Sequence, residues 1–162
     1  MLDEANVELY SRHKVFSYAE LRSRLEIRQE EYCKLVTIEG KTALAMARRE
    51  ILPAVSTFAA RLAASAVSLR AALPGCRAEF ELGTAESLVQ LSDAAYGLAR
   101  QLEDELTHAA QLRSPEEKSF FLHDHVLPVM GALRAACDDM ETITGEDSWP
   151  IPTYGELLFG VK

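Results

Sequence analysis

Apolar side chains recur every three or four residues along most of the chain and β-branched runs are scarce, a pattern that predicts helix almost throughout. A short first helix is predicted over about 2–13. Ser17 with Glu20 three residues on forms a capping box, which places the next helix start near Tyr18. No combined Gly and Pro break follows until Leu73-Pro74-Gly75, so a single helix over about 18–73 is expected, roughly 80 Å long. Gly40 costs this helix about 1 kcal/mol of propensity. Pro53 removes one ladder bond and clashes with the preceding turn, so a kink is expected there and not a stop. Beyond it, Val55, Ala59, Leu62, Ala66, Leu69 and Leu73 alternate steps of four and three, the seam of coiled-coil-like packing. Residues 74–83 read as a loop and Thr84 as the cap of a helix over about 85–112, whose seam is Leu88, Leu91, Ala95, Leu98, Leu102, Ala109 and Leu112. Ser114-Pro115-Glu116-Glu117 starts another, over about 115–144, with Leu122, Val126, Val129, Leu133, Ala136, Met140 and Ile143 on one face. Three matching seams predict an all-α, antiparallel three-helix bundle over 17–144, with an N-terminal segment 1–16 and a Pro-containing tail 145–162.

Two helices of about 28–30 residues are on the order of 45 Å long and reach back along the long helix only to around Met46. Residues 18–42 are then expected to lack bundle partners apart from residues 1–16, although they carry Leu21, Leu25, Ile27, Tyr32, Leu35, Val36 and Ile38. Exposed apolar surface of that extent marks an interface, which makes Leu21, Leu25, Tyr32, Leu35 and Val36 interface candidates. Arg48 and Arg49, near Lys41, join them as a cluster suited to an acidic neighbour or an anion, most simply an interdomain salt bridge. In the tail, Thr153 and Glu156 read as a small capping box ahead of Leu157, Leu158 and Phe159, and Trp149 with Pro150 and Pro152 stiffens the approach. An apolar end of this kind is expected to dock, so Trp149, Tyr154 and Phe159 complete the interface candidates. The echo of Ile51-Leu52-Pro53-Ala54-Val55 in Val126-Leu127-Pro128-Val129-Met130 reads as a pair of kinks that lets adjacent helices curve together.

Composition adds mainly exclusions. The 162 residues suffice for one domain with a real core. Seventeen basic and 25 acidic residues give a net charge of −8. The balance is uneven: residues 1–78 carry +3 and residues 79–162 carry −11. The acidic half repels phosphate backbones and anionic lipids, so neither nucleic acid nor a membrane is an expected partner. No run of about 18 apolar residues is read in the sequence, so no membrane span is expected, and the N-terminus lacks the apolar core of a signal peptide. Cys33, Cys76 and Cys137, odd in number and widely spaced, suit a reducing cytoplasmic setting, with the cysteines as small core residues.

Candidate chemistry is sparse. Glu105-Leu106-Thr107-His108 has the Glu-x-x-His spacing of carboxylate-bridged metal bundles, but no second such pair occurs, and His123 and His125 lie two apart, on different sides of a helix. Glu103-Asp104-Glu105 and Asp138-Asp139 read as solvated faces. There is no phosphate-cradling Gly-rich loop, no G-x-S-x-G elbow and no Cys-x-x-Cys pair. No catalytic, cofactor-binding or metal-ligating residue is assigned.

Two stretches carry a family resemblance. One runs through Asn6-Val7-Glu8-Leu9-Tyr10, Val15-Phe16-Ser17-Tyr18-Ala19-Glu20-Leu21, Glu31-Tyr32-Cys33-Lys34, Ile38-Glu39-Gly40-Lys41-Thr42-Ala43-Leu44 and Ala47-Arg48-Arg49-Glu50-Ile51-Leu52-Pro53-Ala54. The other is the tail, Glu146-Asp147-Ser148-Trp149-Pro150-Ile151-Pro152-Thr153-Tyr154-Gly155-Glu156-Leu157-Leu158-Phe159. Both resemble the C-terminal region of type III glutamine synthetases; residues 56–113 match that family only in helical character. The resemblance implies a parent glutamate–ammonia ligase that uses ATP and Mg²⁺ or Mn²⁺ through a γ-glutamyl phosphate, with its catalytic residues in an upstream β-rich domain. It implies no cofactor in this segment. The implied partners are the catalytic domain of the same parent chain, from which residues 1–16 would continue, and neighbouring subunits of a cytoplasmic homo-oligomer. At position 40 the family pattern leads us to expect Ala or another helix former where Gly stands. The alternative reading is a stand-alone helical adaptor that captures a protein through the exposed half of its long helix.

Overall fold

A computed structural model describes residues 3–152 and 154–160, without the side chains of residues 154 and 155. Helix α1 (Glu4–Arg12) leads through Phe16 into α2 (Tyr18–Met46). The α2 start is the expected capping box: the Glu20 N–H donates to Ser17 Oγ at 3.3 Å, and the Ser17 N–H donates to Glu20 Oε2 at 2.7 Å. The Ser17 N–H, together with the Ser17 hydroxyl donating to the same oxygen at 2.8 Å, holds the Glu20 carboxyl below its ordinary range. Leu21 is buried where α1 packs on the start of α2, and Arg24 stacks over the Phe16 ring at 4.3 Å.

A π turn, Ala47–Ile51, joins α2 to α3 (Leu52–Ala72) without a break, so helix runs on from Tyr18 to Ala72. Its 55 residues span about 80 Å. A second π turn, Leu122–Val126, joins α5 (Pro115–Phe121) to α6 (Leu127–Ile143) in the same way. Each π turn ends two residues before a proline, Pro53 or Pro128. A proline ring clashes with the carbonyl four residues back, and widening that turn makes room for it. The two expected interruptions thus take the form of π turns, and neither ends its helix.

The turn after α3 uses Gly75 at φ +87° and is tied by the Cys76 N–H donating to the Leu73 carbonyl at 3.0 Å. Helix α4 (Glu79–Gln111) then starts ahead of the expected 85. Thr84 is no cap; it lies inside the helix. Ala78 instead closes the loop in the left-handed region at φ 50°, and Glu79 and Glu81 in the first turn face the positive end of the helix dipole. At the far end the Ser114 cap forms as expected, with Pro115 at the first helical position.

The core fills the space between α2–α3, α4 and α5–α6, with Val55, Leu88, Leu102, Leu122, Val126 and Met140 fully enclosed. The bundle reaches further back along the long helix than Met46. Cys33, Val36 and Gly40 are buried in it, and the Cys33 thiol lies 3.6 Å from the Pro115 carbonyl oxygen. The expected limit fails because α4 has 33 residues and the Ser114-Pro115 turn sets α5 beside α2. At the other end α6 stops short: Gly145 sits against Phe58 and Ser148 against Arg61, so α3 beyond there pairs with α4 alone. The long helix also contains one 18-residue window of mean hydropathy 1.4, apolar enough by length and composition to cross a membrane; Val55, Ala59 and Ala66 of α3 are buried in the folded chain.

Candidate protein-protein interface

Helix α2 has two apolar sides. The inner one holds Cys33, Val36 and Gly40 in the core. On the opposite side Ile27, Leu35 and Ile38, spaced eight and three apart, share one stripe and are 54%, 56% and 62% exposed. An apolar stripe backing a buried seam is more than the bundle itself needs, because the seam alone holds the helix in place.

The structure distributes the ten interface candidates unevenly. Leu21 and Val36 are buried inside the chain and offer no outer surface. Leu25 is half-buried and Leu35 is exposed on the stripe. Tyr32 packs against the core, its hydroxyl buried without a hydrogen-bond partner among the described residues, and burial raises its pKa. Arg48 is taken up within the chain: its Nη2 donates to Glu103 Oε2 on α4 at 2.7 Å. That bond raises the Arg48 pKa and holds the Glu103 carboxyl low. Arg49 is exposed.

In the tail, Trp149 and Ile151 pack on the core and wall a hollow of about 440 Å³ with Met46, Ile51, Leu133 and Cys137. Helix α7 (Tyr154–Phe159) follows, with Leu157, Leu158 and Phe159 largely exposed. The tail therefore docks through its Trp-Pro-Ile stretch and leaves the apolar end of α7 outward. The Tyr154 side chain and the proposed Thr153 cap lie outside the described residues. Sequence reasoning grouped Ile27 and Ile38 with the apolar surface of α2 but did not separate its outer stripe from its inner seam; the spacing of Ile27, Leu35 and Ile38 carried that signal.

No three His, Cys, Asp or Glu side chains converge on a metal-sized site among the described residues. His108 and His125 each stack on the Phe121 ring, at 4.6 and 4.5 Å between centroids. Burial, with Asp138 nearby, pushes the Cys137 thiol up to about 11, so it is un-ionised at neutral pH and is no nucleophile there.

The outer stripe falls inside the part of the chain that the comparisons mark out. Residues 1–70 match the family described as the glutamine synthetase C-terminal domain. The chain resembles the C-terminal region of type III glutamine synthetases. A glutamine synthetase of Butyrivibrio fibrisolvens is 29% identical over 162 residues, covering 99% of this chain and 23% of that protein. The type-3 glutamine synthetase of Dictyostelium discoideum is 26% identical over 167 residues, covering 96% and 22%. A glutamine synthetase of Bacteroides fragilis is 25% identical over 152 residues, covering 90% and 21%. The chain thus spans less than a quarter of the length of the curated relatives it matches. The glutamine synthetase likeness extends past residue 70 through the helices that the sequence alone matched only in character.

Proposed function

We propose that this chain is the non-catalytic helical C-terminal segment of a glutamine synthetase, and that it packs against the catalytic domain and takes part in subunit assembly. The parent would be an ATP-dependent glutamate–ammonia ligase of nitrogen assimilation, acting in the cytoplasm as a homo-oligomer, with ATP and Mg²⁺ or Mn²⁺ held by residues outside this segment. One observation carries the reading: within the stretch that matches the family, α2 spends one apolar side on its own bundle and leaves Ile27, Leu35 and Ile38 for another body. Partly apolar surfaces of this kind are what a domain presents to its neighbour in the same chain or to an adjacent subunit.

The test is association with a type III glutamine synthetase catalytic domain supplied as a separate chain and read by size-exclusion chromatography with light scattering. The full 162-residue chain is expected to form a complex, and I27E/L35E/I38E is expected to lose it while melting as the parent does. An unaltered complex in the triple variant overturns the stripe's role. Measurable γ-glutamyl transferase activity from the purified chain overturns its non-catalytic assignment.

A further inference from the structure

A second feature of α2 points to a ligand instead of a domain. Where α2 passes the turn between α4 and α5, a hollow of about 390 Å³ opens to solvent. Its wall is apolar, formed by Cys33, Ile38, Leu112 and Pro115, and its rim carries Lys34, Arg113 and Lys118. Glu30 is the one acid that lines it, 3.6 Å from Lys34. Arg113 and Lys118 make no ion pair among the described residues. Thr37 Oγ1 donates to the Cys33 carbonyl at 2.6 Å, which turns the hydroxyl's lone pairs outward as acceptors and leaves the donors of the site to the cations.

This placement runs against the charge of the molecule. The chain has eight more acidic than basic groups, yet this one concave apolar surface gathers three cations and a single acid. Concave apolar walls with a few convergent polar groups are the usual form of a small-molecule site. A bare inorganic anion leaves the apolar wall wet, and a neutral apolar molecule leaves two cations unpaired. A compound that joins both parts satisfies the whole surface.

The geometry points to a binding site for a small carboxylate carried on a short aliphatic body, the carboxylate between Arg113 and Lys118 and the carbon chain against Ile38, Leu112 and Pro115. This site shares Ile38 with the outer stripe but is tested on the chain alone, through Arg113 and Lys118, which the glutamine synthetase reading does not use. Sodium hexanoate is a suitable probe, with hexanol as its neutral counterpart and inorganic phosphate as the anion without a body. Titrated into the ¹⁵N-labelled chain, hexanoate is expected to shift the amides of Thr37, Leu112 and Lys118 saturably, with at least about tenfold higher affinity than hexanol or phosphate. R113Q/K118Q is expected to lose that advantage and E30Q to tighten binding. Raising NaCl from low to high concentration on the unmutated protein is expected to weaken it, a readout that needs no variant. No saturable shift, equal affinity for hexanol or phosphate, or indifference to both salt and R113Q/K118Q overturns the assignment.

Discussion

At Gly40 the long helix lies close to its neighbours: a β-carbon there would lie 3.1 Å from Leu106 Cδ2 and 3.4 Å from Met130 Sδ. Glycine, where a helix former was expected, therefore permits a close approach of α2 to α4 and α6. For G40A, about 1 kcal/mol of regained helix propensity opposes the crowding, and because both contacts are ends of flexible side chains a net change under about 1 kcal/mol is expected. G40L overfills the same space and is expected to destabilise by about 1–3 kcal/mol in urea unfolding. Cys137 gives a pH prediction. Its folded pKa stands above its unfolded value near 9, so above pH 9 the unfolded chain loses a proton that the native one keeps, and stability falls until about pH 11. Melting temperatures of the parent and C137A, measured from pH 8 to 11, are expected to diverge, the parent losing more. Glu103 runs the other way: Arg48 holds its folded pKa low, so its contribution is present above the ordinary carboxylate value and is lost as acid protonates it.

The π turns matter at the scale of the element. A π turn is one residue inserted into an α-helix, so the helix beyond it is offset by one position. Deleting Arg49, exposed within the first π turn, is expected to replace that turn by an α-helix kinked at Pro53 and to keep α3's buried face on α4. Deleting Thr57 instead turns Ala59 and Ala66 away from that contact by about 100°. Circular dichroism melts should show the second deletion as the worse by more than about 2 kcal/mol. The tail divides likewise. W149A removes an aromatic ring packed on the core and is expected to cost about 2–4 kcal/mol, whereas L157S/L158S/F159S changes largely exposed side chains and is expected to leave the chain's melt within about 0.5 kcal/mol.

Over the whole molecule, the helix of Tyr18–Ala72 outruns its partners at both ends. One end is capped by α1 over Leu21, and the other is a two-helix hairpin of α3 and α4. Between them the bundle is complete on its own, which predicts that the purified chain folds and melts cooperatively without a partner. The outer stripe is then a surface feature of a stable unit: L35E and I38E should leave the melt nearly unchanged, while V36E, which buries a carboxylate in the core, should cost more than about 3 kcal/mol. Near-equal melts for L35E and V36E would contradict the two-sided reading of α2.

The order of elements, the long helix, the capping box at Ser17, the Ser114 cap and the family resemblance were all legible in the sequence, because caps and three-to-four-residue seams are local signals set by a few neighbouring side chains. The start of α4 was not, since Ala78 enters the left-handed region only because the closed turn requires it. Nor was the reach of the bundle past Met46, which depends on where the Ser114-Pro115 turn settles beside Cys33. The same holds for Leu21 and Val36, read as outer surface but buried, and for the meeting of Lys34, Arg113 and Lys118 around one hollow. Periodicity states that a helix has an apolar side; which side meets a neighbour, and how far along, is decided only when helices distant in sequence pack and compete for the same surface.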